Sequence, residues 1–84
     1  MRNMSFDYSK LLGKIKEVCG TQNNFAKKIG IGRVSLNHRL NNKLEFSQNE
    51  INRSVEVLGL RKEEIPLYFF NEKVQKNEHT LKGA

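Results

Sequence analysis

Two glycines within three residues, Gly30-Ile31-Gly32, separate two short segments that each carry one narrow apolar stripe. The stripes recur every three or four residues, which is typical of helices that bury one face. Glycines this close together end the first helix and force a sharp turn before the second. The sequence therefore predicts a tightly joined helix pair over residues 22–40. Its predicted buried positions are Phe25, Ala26, Ile29, Leu36 and Leu40.

Further helices are predicted on both sides of this pair. Before it lies an apolar stripe that predicts a helix, which Asp7 can cap at its N-terminus and Gly20 can end. After it, Ser47-Gln48-Asn49-Glu50 has the pattern of a capping box, and a further stripe runs from there to Gly59. Residues 61–66 allow another short turn of helix. The flanking stripes are Tyr8, Leu11, Leu12, Ile15, Val18 and Cys19, then Ile51, Val55 and Leu58.

No period-two alternation of useful length is present, so we predict an all-α domain. It has five short helices over residues 1–70, and a weakly ordered polar tail follows over residues 71–84. With 84 residues and one cysteine, the chain has room for one core and no disulfide framework. It has no apolar run long enough to span a membrane and no secretory signal, so a reducing, cytoplasmic compartment is expected.

The charge is unevenly distributed along the chain. The net charge is +6, and residues 1–42 carry all of it, with eight Lys or Arg against two acidic residues. Residues 43–84 are balanced, with seven of each sign. This asymmetry favours a polyanionic partner for the first half. The alternative is a basic but merely solvated surface.

Residues 22–42, from Gln22 to Asn42, resemble the helix-turn-helix of the Cro and lambda-type phage repressors. The shared pattern is Gln22, an apolar residue three positions on, Ala26, Ile29, Gly30 and Ile31, and then Leu36 five residues later. The resemblance extends over about residues 8–70. It implies a five-helix, lambda-repressor-like domain in the cytoplasm of a bacterial host. It also implies a phage or prophage regulator that binds a double-stranded DNA operator and represses by occlusion.

Two positions depart from the family pattern. The family usually caps its recognition helix with Ser or Thr, and Gly32 stands there, which lacks a side chain for a phosphate. Many members also have an apolar residue at the position of Arg39, whereas here it comes one residue later, at Leu40. This shift predicts a slightly rotated recognition helix.

With Leu36 and Leu40 inward, helical geometry places a varied polar face outward on the second helix of the pair. Arginine suits guanine, asparagine suits adenine and valine suits a thymine methyl, so this face suits base edges. Other polar residues are expected to contact phosphates and position the protein without reading sequence. The predicted base-reading residues are Arg33, Val34, Asn37 and His38. The predicted phosphate contacts are Gln22, Lys27, Ser35, Arg39, Asn42 and Lys43.

The segment Leu67-Tyr68-Phe69-Phe70 is a candidate dimer interface. Four consecutive large apolar residues cannot all point inward from one turn of chain, and an exposed aromatic cluster favours association. The neutral second half of the chain does not repel a second copy. We expect a weak homodimer that is completed on DNA. The alternative is that Tyr68 with Phe69 or Phe70 caps the core.

Other functions have little support in the sequence. Cys19, His38 and His79 lack metal-ligand spacing, and Gly30-Ile31-Gly32 lacks the third glycine of a dinucleotide site. We expect no enzyme activity, no cofactor, no metal and no small-molecule ligand. Two alternatives to a repressor remain: a protein-interaction module that binds another regulator, and the antitoxin subunit of a toxin–antitoxin pair.

Overall fold

The fold is known from a computed structural model that describes residues 5–73. In this range the chain forms five α-helices, one 3₁₀ turn before the last of them, and no β-strand. The predicted all-α fold of five short helices is therefore confirmed. No helix among the described residues is long and apolar enough to cross a membrane. The elements are α1 (Ser9–Cys19), α2 (Gln22–Ile29), α3 (Arg33–Leu40), α4 (Gln48–Leu58), the 3₁₀ turn (Lys62–Glu64) and α5 (Ile65–Phe69).

The ends of α2 follow from local chemistry. Thr21 is its N-cap, and the threonine hydroxyl accepts a hydrogen bond of 3.1 Å from the backbone N–H of Asn24. At the other end Gly30 is left-handed, with φ +81°. The N–H of Ile31 donates to the carbonyl of Ala26 at 3.0 Å, which closes a Schellman-type ending. The chain then turns directly into α3, with Gly32 as its N-cap.

The start of α4 has the predicted capping box. The Ser47 hydroxyl accepts from the N–H of Glu50 at 3.1 Å, and the Glu50 carboxylate accepts from the N–H of Ser47 at 3.0 Å. The predicted Asp7 cap of α1 is displaced by one position, since Tyr8 is the N-cap residue. Asp7 instead accepts hydrogen bonds from the hydroxyl and the N–H of Ser9, and these lower the pKa of the Asp7 carboxyl.

The core forms around α2, which packs against α1, α3 and α4. α5 covers the far side of α1 and α4. Two residues of the predicted α1 stripe are wrong as core positions, because Leu12 and Val18 are exposed and only one side of that helix faces inward. In α3, Leu36 is buried and Leu40 is half-buried. The largest fully buried apolar side chains are Phe25, Phe69, Leu11, Ile15, Ile29 and Leu36.

The two ends of the described chain meet. Residues 5–7 run antiparallel to residues 71–73, with Phe6 opposite Glu72. The N–H of Asp7 donates to the carbonyl of Asn71, and the N–H of Lys73 donates to the carbonyl of Ser5. Residues 71–73 were predicted to begin a weakly ordered tail, but this pairing holds them on the domain. Residues 74–84 of that predicted tail lie outside the described residues.

Candidate nucleic-acid interface

α3 presents the predicted base-reading face to solvent. Leu36 holds the helix to the core, and the side chains of Arg33, Val34, Asn37 and His38 are all exposed. At about 100° per residue these four positions together span an arc of roughly 140°, so the four side chains form a continuous surface. Val34 is 68% exposed, the largest value among the exposed large apolar residues. We call these four residues the α3 face.

A groove adjoins the N-terminal end of the α3 face. Lys16 from α1, Gln22 at the start of α2 and Arg33 of α3 line it together. Gln22 is half-buried, and Lys16 and Arg33 are exposed. The fold thus brings the predicted phosphate contact Gln22 next to the predicted base reader Arg33. Lys16 was not among the predicted contacts, because only the packing of α1 against α2 places it here.

The loop after α3 is folded back against the helix end. The carbonyl of His38 accepts from the N–H of Lys43 at 2.8 Å and from the N–H of Leu44 at 3.3 Å. Asn41 donates to the side-chain oxygen of Asn37 at 3.0 Å, which orients that amide. Lys43 is exposed at this end of the α3 face, where a phosphate contact was predicted. Leu44 beside it is 48% exposed and was not foreseen as a functional residue.

The chain segment that forms α2, α3 and the start of the loop after α3 has no acidic residue of its own. No Asp or Glu occurs between Glu17 and Glu45, and five Lys or Arg lie in that interval. Four of the five have exposed side chains: Lys27, Lys28, Arg33 and Lys43. An exposed surface of this composition has a positive potential that attracts polyanions.

The fifth cation, Arg39, is placed differently from the prediction. Its Nε and Nη2 atoms donate to the two carboxylate oxygens of Glu50 at 2.8 and 3.1 Å. Its Nη1 atom donates to the carbonyl of Ser35 at 2.9 Å. Arg39 was predicted to contact a phosphate, and in this structure its guanidinium is instead bound within the domain. Ser35 is half-buried beside it.

Asn42 also differs from its predicted role. Its side-chain oxygen accepts from the N–H of Phe6 at 2.9 Å, and its side-chain nitrogen donates to the carbonyl of Phe6 at 3.0 Å. Asn42 has φ +63°, a left-handed conformation that asparagine tolerates. The Asn42 side-chain amide thus pairs with the backbone of Phe6 as a neighbouring strand would. Because both of its polar atoms are engaged there, it is poorly placed for a phosphate.

The predicted dimer segment divides between core and surface. Phe69 is buried, and its ring packs edge-on against Phe46 with centroids 5.2 Å apart. Its assignment to a dimer interface is therefore wrong. Tyr68 is half-buried against the core. Leu67 and Phe70 are 51% and 50% exposed, so they alone of the four present large apolar area.

Comparison with known proteins places the chain in a family. A family model described as a protein of unknown function (DUF739) matches residues 4–72. The chain belongs to this family. The comparison with curated proteins gives no match.

A solved structure adds a second likeness. This DUF739 protein is similar to the modulator of repression (MOR) of the temperate bacteriophage TP901-1 from Lactococcus lactis. The two share 49% sequence identity and superpose with a TM-score of 0.71, over 84% of this chain and 96% of that one. At this identity the likeness extends beyond the fold, and it supports the predicted phage regulatory context without being specific to the Cro family.

Proposed function

We propose that this DUF739 protein is a phage or prophage regulator without catalytic activity that binds an operator in double-stranded DNA through the α3 face. The observation that carries the proposal is the composition of that face. Its four exposed side chains offer donors, an acceptor and an apolar group, and the surrounding helix pair contains cations and no carboxylate. The similarity to the phage TP901-1 modulator of repression supports a role in phage gene regulation.

Each member of the α3 face suits a different base feature in the major groove. Arg33 can donate two hydrogen bonds to guanine, and the Asn37 amide can pair with adenine. Val34 suits the methyl group of thymine, and His38 provides a further polar contact. Gln22, Lys27 and Lys43, from α2 and the loop after α3, are proposed to contact phosphates, which would position α3 without specifying sequence.

Selection of bound duplexes from a random pool would identify the operator. Gel shifts with that operator should then separate two classes of residue. Arg33→Ala should cost about 1–3 kcal/mol of operator binding and relax the preference at one base pair. Lys43→Ala should weaken operator and scrambled duplexes alike and reduce the salt slope by about one.

Lys62→Ala is the matched control, because Lys62 is an exposed cation on the 3₁₀ turn, outside the helix pair. It should leave operator preference unchanged. If the wild-type chain enriches no sequence from the pool, the proposed function is wrong. If Arg33→Ala keeps both affinity and preference, the assignment of Arg33 to base reading fails.

A second candidate function is binding to another regulatory protein through the same surface. Two exposed apolar side chains, Val34 and Leu44, lie at the two ends of this surface, and apolar area of that kind is also suited to a protein partner. Salt separates the two candidates. DNA binding through about six phosphates loses affinity by orders of magnitude between 50 and 200 mM salt, about 10³-fold or more, whereas apolar protein binding changes little.

A further inference from the structure

α3 is held to the domain by few contacts of its own. Of its eight residues only Leu36 is buried, and the helix packs mainly on α2. Leu36 at the middle of the helix and the half-buried Leu40 in its last turn hold one face of α3 to the core, and the side of the helix toward α4 is held by a further, polar contact. Arg39 lies in that last turn, on the side that faces α4.

Arg39 and Glu50 form a cross-link between α3 and α4. The guanidinium engages both oxygens of the carboxylate, at 2.8 and 3.1 Å, and its third nitrogen holds the carbonyl of Ser35 one turn back. Bidentate pairs of this kind are strong and directional. The Arg39 side chain is 15% exposed and that of Glu50 is 12% exposed, so water screens the pair weakly.

Glu50 is itself fixed by the helix that carries it. The same carboxylate accepts from the N–H of Ser47 and closes the capping box of α4. It therefore has one orientation in which the cap and the bidentate pair are both satisfied. The register of α3 against the domain is thus tied to the first turn of α4, eleven positions along the chain.

We propose that Glu50 is a specificity-determining residue, which fixes the rotation of α3 and withholds Arg39 from the DNA backbone. This inference rests on the proposed DNA-binding function and adds a residue outside the α3 face to it. Phosphate contacts strengthen binding to every sequence, so a cation released beside the α3 face raises affinity without selectivity. A carboxylate that retains this cation therefore limits binding to non-specific DNA and leaves selectivity to the base-reading side chains.

The test compares two single variants of the full 84-residue chain. Glu50→Gln keeps the size of the side chain but removes the charge that holds Arg39. Glu56→Gln is the matched control, because Glu56 is an exposed residue of α4 and makes no ion pair among the described residues. Both variants gain the same net charge. Affinity for the selected operator and for a scrambled duplex is measured at several salt concentrations.

We expect Glu50→Gln to bind the scrambled duplex several-fold more tightly and with a salt slope steeper by about 0.9, the value for one added phosphate contact. The ratio of operator to scrambled affinity should fall by about tenfold, comparable to the loss of one base-pair contact. Glu56→Gln should leave the ratio at the wild-type value. If the ratio falls equally in both variants, net charge is the cause and the inference is overturned.

Two variants at Arg39 distinguish the release of this cation from a general loss of stability in the domain. Arg39→Gln should lower the ratio through a loosened α3, but without tighter scrambled binding, because no cation is released. In Glu50→Gln/Arg39→Gln the gain in scrambled affinity should disappear. A gain that persists in this double variant would show that Arg39 is not its source and would overturn the inference.

The wild-type measurement separates the two levels of the proposal. A wild-type chain that does not distinguish operator from scrambled DNA overturns the proposed function, and this inference with it. A selective wild type together with a Glu50→Gln variant that keeps the wild-type ratio of operator to scrambled affinity overturns the inference alone. A nuclear magnetic resonance signal of the Arg39 Nε–H that shifts in Glu50→Gln and not in Glu56→Gln would confirm that the ion pair exists in solution.

Discussion

At the scale of single residues, the turn between α2 and α3 depends on Gly30. Its φ of +81° is left-handed, and a Cβ placed there would lie 3.0 Å from Nη1 of Arg53. That same nitrogen donates to the carbonyl of Ile29 at 3.0 Å and so supports the end of α2. Gly59, which ends α4, is also left-handed, with φ +68°, but a Cβ added to it would meet open space. Alanine at Gly59 therefore introduces backbone strain alone, whereas alanine at Gly30 introduces both strain and a close contact.

Both Gly30→Ala and Gly59→Ala should lose about 1–2 kcal/mol of unfolding free energy, because each forces an L-residue into the left-handed region. Gly30→Ala should lose about 0.5–1.5 kcal/mol more, the value of the Arg53 hydrogen bond that the methyl group displaces. Urea denaturation of both variants measures the difference. The extra loss should vanish in an Arg53→Ala background, and equal losses in the wild-type background would contradict this role of Arg53.

Residue roles were predictable from the sequence where they depend on helical periodicity alone. Once Leu36 was taken as buried, the outward placement of Arg33, Val34 and Asn37 followed from the angle per residue. The roles of Arg39 and Asn42 did not follow, because their partners, Glu50 and Phe6, are 11 and 36 positions away. Only the packed fold brings such pairs together, and no local pattern in the sequence indicates either of them.

At the scale of elements, the packing of α2 in the core is expected to need a small side chain at Ala26. Ala26 is 1% exposed and belongs to the buried core cluster. Ala26→Leu should destabilise the domain by about 1–3 kcal/mol through overpacking, measured by urea denaturation. Leu12→Ala, at an exposed position of α1, is a control of similar size change and should cost much less. A stable Ala26→Leu variant with unchanged operator binding would argue against the need for a small side chain at this position.

The link between α3 and α4 should also be visible as a dependence of stability on pH. Burial opposes ionisation of Glu50, but hydrogen bonds from Arg39 and Ser47 outweigh it, so its pKa lies below the ordinary value of 4.5. Stability from a carboxylate with a lowered pKa is present above about pH 4.5 and is lost as the pH falls through the folded-state value. The free energy of unfolding of the wild type should therefore exceed that of Glu50→Gln at neutral pH, and this difference should disappear as the pH drops below about 4.5.

Urea denaturation of both chains between about pH 7 and pH 3 measures this effect. Glu56→Gln is the matched control, since it changes the net charge equally at an exposed position outside the ion pairs of residues 5–73. A wild-type advantage over Glu50→Gln that persists unchanged to the lowest pH would show that the charge of Glu50 does not stabilise the α3–α4 link.

The ends of the elements were predictable wherever a side chain or a glycine fixes them. Thr21 and Gly30 bound α2, and Ser47 with Glu50 begins α4, as expected from their hydrogen-bonding chemistry. The run from Leu67 to Phe70 was different, because four adjacent apolar residues have no periodicity from which an inward side can be deduced. The buried position of Phe69 is decided by its packing against Phe46, which lies far earlier in the chain.

At the scale of the whole molecule, an aromatic cluster joins both ends of the described chain to the body of the domain. Phe6 packs against Tyr8 and against Phe70, with centroids 6.2 and 5.8 Å apart, and Tyr8 packs edge-on against Phe46. Phe70 therefore belongs to the fold although half of it is exposed. Leu67 is 51% exposed and does not belong to the core cluster or to the apolar side chains packed on it within residues 5–73, so it can be changed with little damage to the core.

This arrangement allows a sharp test of dimerisation. A single recognition helix covers few base pairs, and helix-turn-helix regulators bind two half-sites about 34–36 Å apart as dimers. If α5 forms the interface, Leu67→Lys should leave the folded monomer and its binding to a single half-site unchanged. It should abolish cooperative binding of two copies to a two-half-site duplex, so that the two half-sites fill independently, because it places a charge in apolar contact area.

Sedimentation over a range of protein concentrations, alone and with each duplex, gives the number of chains bound at each concentration. Val18→Lys is the matched control, since Val18 is 45% exposed on α1, outside α5. At a concentration that half-fills a single half-site, wild type and Val18→Lys should already place two chains on most two-half-site duplexes, whereas Leu67→Lys should fill each half-site only as far as the isolated one. Cooperative filling by Leu67→Lys would show that the interface lies outside α5. Independent filling of the two half-sites by the wild type would contradict dimerisation, because a contact between the two bound chains would make the second copy bind more tightly than the first.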